Sequence, residues 1–213
     1  MTFKPWYKKR KVFFTRKKAF REVRNKFLIV CEGEKTEPNY FSSFPINKNI
    51  VTVDICDAKC VAVSVVEKAI ELKESANRDK KPYNQIWCVF DRDSNPADPN
   101  SATNFNKAIQ LARKQGIGVA YSNQAFELWY ILHFEYLQAA LTRDRYIEKL
   151  TALLGRKYEK NCLTMYAELK QRQKQAITFA EKLLQSHANY NPEANDPSTT
   201  VHYLVKEINK FLE

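Results

Sequence analysis

Glycine is scarce, at 4 residues in 213, and no apolar stretch is long. The first argues against a low-complexity chain. The second leaves nothing near the ~18 consecutive apolar residues of a membrane span, so no membrane partner is expected. The positive charge at the N-terminus is not followed by the apolar core of roughly 7–15 residues that a secretory signal carries. Cysteines are five, an odd number. Cys31 and Cys88 lie inside apolar runs and read as small core residues. Cys56 and Cys60 are four apart, with no second pair and no His at ligand spacing, which argues against zinc. A reduced, cytoplasmic compartment is the simplest expectation.

What is present is a chain with 44% hydrophobic residues, enough for a core, and a formal net charge of +11. That charge is uneven. Residues 1–26 hold eleven Lys/Arg against the single acid Glu22, and the remaining 187 residues are close to neutral. The runs Lys8-Lys9-Arg10-Lys11 and Arg16-Lys17-Lys18 are interleaved with Trp6, Tyr7, Phe13, Phe14 and Phe20. Cations meet phosphates and rings stack on bases, so this arm is expected to contact nucleic acid. The alternative is a solubilising arm whose rings pack back on the domain.

Residues 27–31 (FLIVC) and 86–90 (IWCVF) are apolar runs that end abruptly in carboxylates. Such runs read as buried parallel strands. Two more are expected over residues 50–56 and 117–121. Helical spacing follows over 61–76, 105–115 and 125–134, and then over 143–154, 163–185 and 198–212. A Pro- and Asn-rich loop is expected over 94–104. Alternating strands and helices predict an α/β fold, with right-handed crossovers placing every strand C-terminus on one edge. The expected organisation is a basic arm over residues 1–26, an α/β core over 27–140 and a C-terminal helical extension over 141–213 packed on that core.

Ligands of open α/β sheets bind at the C-terminal edge. Glu32, Glu34 and Glu37 after the first strand are therefore expected near Asp91 and Asp93 after the third. Asp91 and Asp93 are two apart, so both can point the same way. Carboxylates gathered there repel unless a positive charge lies among them, and a hard cation such as Mg²⁺ or Mn²⁺ takes oxygen ligands of this kind. Glu32, Asp91 and Asp93 are the expected catalytic and metal-binding residues. Glu37 and Glu127 are further candidate metal ligands. Glu37 also suits a helix first turn, and Glu127 a structural hydrogen bond. Lys35, Arg92 and Asn123 are candidates for holding phosphate. His133 is expected to be a packing histidine, with Trp129, Tyr130 and Phe134 in the core. Thr199, Thr200 and His202 open the last helix, whose N-terminus could face an anion.

The strand ending in Glu32-Gly33 and the later one ending in Asp91-Arg92-Asp93 together resemble the Toprim domain of topoisomerases, primases and OLD-family nucleases. More specifically, CEGEKTEPNYF at 31–41, VFDRD at 89–93, SNQAFELWYILHF at 122–134 and DPSTTVHYLV at 196–205 resemble the RloB-like family of bacterial and archaeal proteins associated with anti-phage defence. The resemblance spans roughly residues 25–210. It implies a Toprim-like parallel four-stranded sheet flanked by helices. By analogy, it also implies a metal-dependent nuclease acting on DNA or RNA. Glu32 then matches the Toprim glutamate, Asp91 and Asp93 its aspartate pair, and Glu37 the second acid of OLD-type nucleases. A fold alone does not choose a reaction. The alternative is a non-catalytic nucleic-acid-binding or sensor subunit working with a partner ATPase. A strand-joining or primase-like enzyme is weakened by the short chain, which carries no accompanying tyrosine domain or zinc module. A homodimer is one assembly this reading admits.

If the arm contacts phosphates, a chain lacking residues 1–25 is expected to bind nucleic acid more weakly and with a flatter salt dependence than the full chain. Anisotropy titrations at several salt concentrations measure both. Equal slopes for the two chains would remove the arm from binding.

Overall fold

The computed structural model describes residues 26–46, 51–55, 61–92, 101–189 and 191–212. Lys8, Lys9, Arg10, Lys11, Arg16, Lys17 and Lys18 of the arm lie outside the described residues, as do Cys56, Cys60 and Asp93. The strands are β1 (Phe27–Cys31), β2 (Val51–Ile55), β3 (Gln85–Arg92) and β4 (Gly118–Asn123). They pair in the order β2-β1-β3-β4, all parallel. The chain moves outward from β1 to β2, then crosses back over β1 to β3. The strand order therefore reverses between β1 and β3, and the crevice beyond their C-terminal ends is where such sheets bind ligands.

Each strand residue faces opposite to its neighbours, so the sheet buries two cores. Leu28, Val30, Ile86, Cys88 and Phe90 pack with α2 (Ala62–Arg78) and α3 (Ser101–Lys114). Ile29, Cys31, Val89 and Ala120 pack on the other side. There they meet α1 (Thr36–Ser42), α4 (Glu127–Ile131), α5 (Arg143–Leu154), α6 (Met165–Leu169), α7 (Gln173–Ser186) and α8 (Val201–Asn209). The expected parallel sheet with flanking helices is thus present, and Cys31 and Cys88 are buried core residues. Among the described residues no helix is long and apolar enough to cross a membrane.

Several helices differ from the sequence pattern. The long helix expected over 163–185 is broken into α6, a 3-10 turn at Lys170–Arg172, and α7. Its two halves pack on different partners: Tyr166 of α6 joins the rings of Tyr40 and Phe44, while Ala176, Ala180 and Leu183 line one face of α7. The apolar helix expected over 125–134 contracts to the five residues of α4. Residues 101–104, expected in a loop, open α3.

The last helix begins at Val201 rather than Ser198, because the three residues before it are bound to β4. Ser122 and Thr199 form an antiparallel bridge, and Thr200 N–H donates to Tyr121 O at 2.9 Å. The Thr200 hydroxyl accepts from Tyr121 N–H at 2.9 Å and donates to Val119 O at 3.1 Å. A β4 edge that would otherwise expose unpaired backbone is thereby covered. Thr199 and Thr200 thus spend their hydroxyls on the β4 backbone.

Asn123 is likewise a structural tie and not a phosphate ligand. It is fully buried. Its Oδ1 accepts from Ser198 N–H at 3.0 Å and from the Ser198 hydroxyl at 2.6 Å, and its Nδ2 donates to Pro192 O at 3.2 Å. Replacing Asn123 with Ala leaves buried partners unsatisfied and is expected to destabilise the fold by about 2–4 kcal/mol. Urea denaturation measures this, and a loss below about 0.5 kcal/mol would contradict the role assigned.

Candidate active site

Beyond the β1 and β3 ends lies a cleft of about 440 Å³, lined by Glu32, Gly33, Glu34, Lys35, Thr36, Glu37, Asp91, Phe126, Glu127, Arg143 and Lys160. Its floor begins with backbone pairing. Cys31 is in register with Val89, and Glu32 N–H donates to Val89 O at 2.9 Å. The Glu32 carboxylate accepts from the Asp91 backbone N–H at 3.0 Å. The two motif acids are therefore adjacent, as their strand ends predict.

Glu37 enters from the first turn of α1 and is buried. It folds back beneath Gly33, where a Cβ would lie 2.8 Å from Glu37 Cδ. The glycine of the Glu-Gly turn is thus explained by close approach of a carboxylate. Pro38 sits in the first turn of α1, where its missing N–H is tolerated. Tyr40 in the same helix meets Phe41, Phe44, Phe126, Tyr130 and Tyr166 at ring separations of 5.3 to 5.9 Å. This ring cluster fixes α1 against α4, and so Glu37 against Glu127. Glu127 is 2% exposed and accepts from the Tyr158 hydroxyl at 3.0 Å. The structural hydrogen bond and the place in the cleft both hold for it.

Charge repulsion marks the site. Glu37 is raised from 4.5 to about 7, first by burial and then by Glu127, against the opposing pull of its own backbone N–H, Arg143 and Lys160. Asp91 is raised well above the usual carboxylate range by burial, with Glu37, Glu32 and Glu127 adding to it and Arg143 opposing. Arg143, the first residue of α5, places Nη2 at 3.4 Å from Asp91 Oδ2 and at 2.9 Å from Gln124 O. The donor set is carboxylate oxygen throughout, the type that hard divalent ions take. Among the described residues no three acids, histidines or cysteines already stand close enough to hold an ion. The raised pKa values of Glu37 and Asp91 and the Arg143 guanidinium both lessen the repulsion.

Glu34 and Lys35 are exposed among the lining residues. Arg92 does not line the cleft, since alternation along β3 turns it to the opposite face from Asp91. His133 is fully buried, with Nδ1–H donating to Trp129 O at 2.9 Å and a pKa lowered to about 4 by burial. It is a packing residue, and Trp129 and Tyr130 are core. Sequence reasoning missed Arg143, Tyr158 and Lys160. No motif flags them, because they come from the helical extension, 50 or more residues beyond Asp91.

Residues 27–208 match the family model described as RloB-like protein. The match covers most of the chain, and the chain belongs to that family. Among curated proteins none matches it.

The raised Glu37 pKa has a stability consequence. Between about pH 4.5 and 7 the folded chain binds the Glu37 proton more tightly than the unfolded chain, so this residue's contribution falls as pH rises through 7. In metal-free buffer Glu37→Gln is expected to match the wild type at pH 5. By pH 8 it should exceed the wild type by roughly 3 kcal/mol. Urea denaturation across that range reads the difference, and parallel pH profiles for the two chains would contradict it.

Proposed function

We propose that this member of the RloB-like family is a Toprim-like, metal-dependent nuclease that hydrolyses phosphodiester bonds of DNA or RNA in the cytoplasm, in anti-phage defence. The observation that carries this reading is the gathering of Glu32, Glu37, Asp91 and Glu127 in one cleft at the β1/β3 switch point. Glu32, Asp91, Glu37 and Glu127 would hold Mg²⁺ or Mn²⁺, with Asp93 joining them from two residues beyond Asp91. An ion bound there supplies Lewis-acid stabilisation of the phosphodiester oxygens and a more acidic water.

The chain's own groups prepare that chemistry. The Asp91 backbone N–H orients the Glu32 carboxylate, and Tyr158 orients Glu127. Phe126 contributes an apolar wall and limits water. The basic arm recruits substrate through phosphate contacts, which carry no sequence information. A second reading, a binding or sensor subunit that works with a partner ATPase, draws on the Arg143–Asp91 pair, which partly neutralises the acids without an ion.

Purified chain is expected to nick plasmid DNA or cleave RNA with Mg²⁺ or Mn²⁺ and not with EDTA. Asp91→Asn is expected to slow cleavage by at least about 100-fold. Cleavage that is unchanged by the substitution, or that persists in EDTA, would move the chemistry elsewhere.

A further inference from the structure

The cleft draws its acids and two of its lining cations from different parts of the chain. Glu32, Glu37, Asp91 and Glu127 come from the sheet edge and from α1 and α4. Arg143 and Lys160 come from the helical extension. Arg143 is rooted by its 2.9 Å bond to Gln124 O. That carbonyl is itself held: Gln124 has a left-handed φ of 62°, and its Nε2 donates to Asp196 Oδ2 at 2.8 Å. The 3.4 Å contact to Asp91 is longer than the ~2.7–2.9 Å of a strong charge-assisted bond.

Lys160 is placed by the segment between α5 and α6, which is tied to α4 and to both ends of α1. Tyr158 is bonded to Glu127, and the Thr36 hydroxyl reaches Lys160 O at 3.4 Å. The Ser43 hydroxyl reaches Leu163 O at 3.3 Å. The Lys160 side chain is exposed while its backbone is anchored. A cationic wall facing an acidic floor suits a ligand whose charged oxygens must be gripped beside the carboxylates.

We propose that Arg143 and Lys160 form a phosphate subsite that takes the non-bridging oxygens of a nucleic-acid phosphodiester and sets it against the acidic floor. The ligand class rests on the nuclease reading above. Arg143 brings a guanidinium held by Gln124 O whose contact to Asp91 a phosphate oxygen would replace, and Lys160 a point charge. The basic arm contacts phosphates anywhere along a strand. This pair fixes one phosphate in register with the carboxylates.

The test is calorimetric, with the full chain. A 5′-phosphorylated thymidine dinucleotide is titrated in EDTA and again in Ca²⁺, and Ca²⁺ is titrated alone. Arg143→Ala is expected to weaken dinucleotide binding about 10- to 100-fold, and Lys160→Ala about 3- to 10-fold. Arg143→Lys should fall between Arg143→Ala and wild type. Ca²⁺ affinity of Arg143→Ala should stay level or rise, because a cation beside Asp91 has been removed. A purely structural arginine would weaken both ligands together.

Unchanged dinucleotide affinity in both alanine variants would overturn the subsite. So would a wild-type chain that binds no dinucleotide at millimolar concentration. A parallel loss of Ca²⁺ and dinucleotide in Arg143→Ala, with Lys160→Ala unaltered, would do the same. The nuclease reading fails separately: a chain that grips the dinucleotide through this pair and cleaves nothing keeps the subsite and loses the reaction.

Discussion

Mutual repulsion among Glu32, Glu37, Asp91 and Glu127 is the constraint around which the molecule is arranged. Carboxylates taken out of water together resist ionisation, and each one that does ionise raises the cost for the next. The chain meets this in three ways. A backbone amide and a tyrosine hydroxyl satisfy individual oxygens at Glu32 and Glu127. Protons are retained on Glu37 and Asp91 well above the pH at which ordinary carboxylates lose them. A guanidinium is brought to Asp91 from a distant part of the sequence. Such a site is held in tension.

The division of labour follows the layers. The parallel sheet supplies the floor because register places β1 and β3 ends side by side. The ring cluster about Tyr40 joins α1 to α4 and α6. That cluster spans the structural boundary between the sheet-borne acids and the extension-borne cations. The extension also closes the far edge of the sheet through Ser198, Thr199 and Thr200. It is therefore more than an appendage: it seals an edge at one place and completes a cleft at another.

Elements with strong local signals were legible in the sequence. The β1 and β3 runs ending in Glu32 and Asp91 are continuous apolar segments with abrupt polar ends. The helix over Arg143–Leu154 stops at Gly155, whose left-handed φ of 67° is the usual C-terminal signal. Partners fixed by packing were not legible. Asn123 looks like a loop amide that could meet phosphate, and only the position of Ser198 shows that it is fully used. The break between α6 and α7 leaves no glycine or proline to betray it. Arg143 and Lys160 carry no pattern because their role depends on where α5 docks, which no local property encodes.

One feature of the cleft bears on how the chain is made. The carboxylates lie at positions 32 to 127, whereas two of the three lining cations, Arg143 and Lys160, come later in the chain. A nascent chain therefore exposes the acidic half first and acquires its counterpart only after the extension leaves the ribosome and docks. The charge balance of the cleft is thereby completed only after most of the polypeptide has been synthesised. Fragments that stop short of residue 143 carry the cleft acids without Arg143 and Lys160.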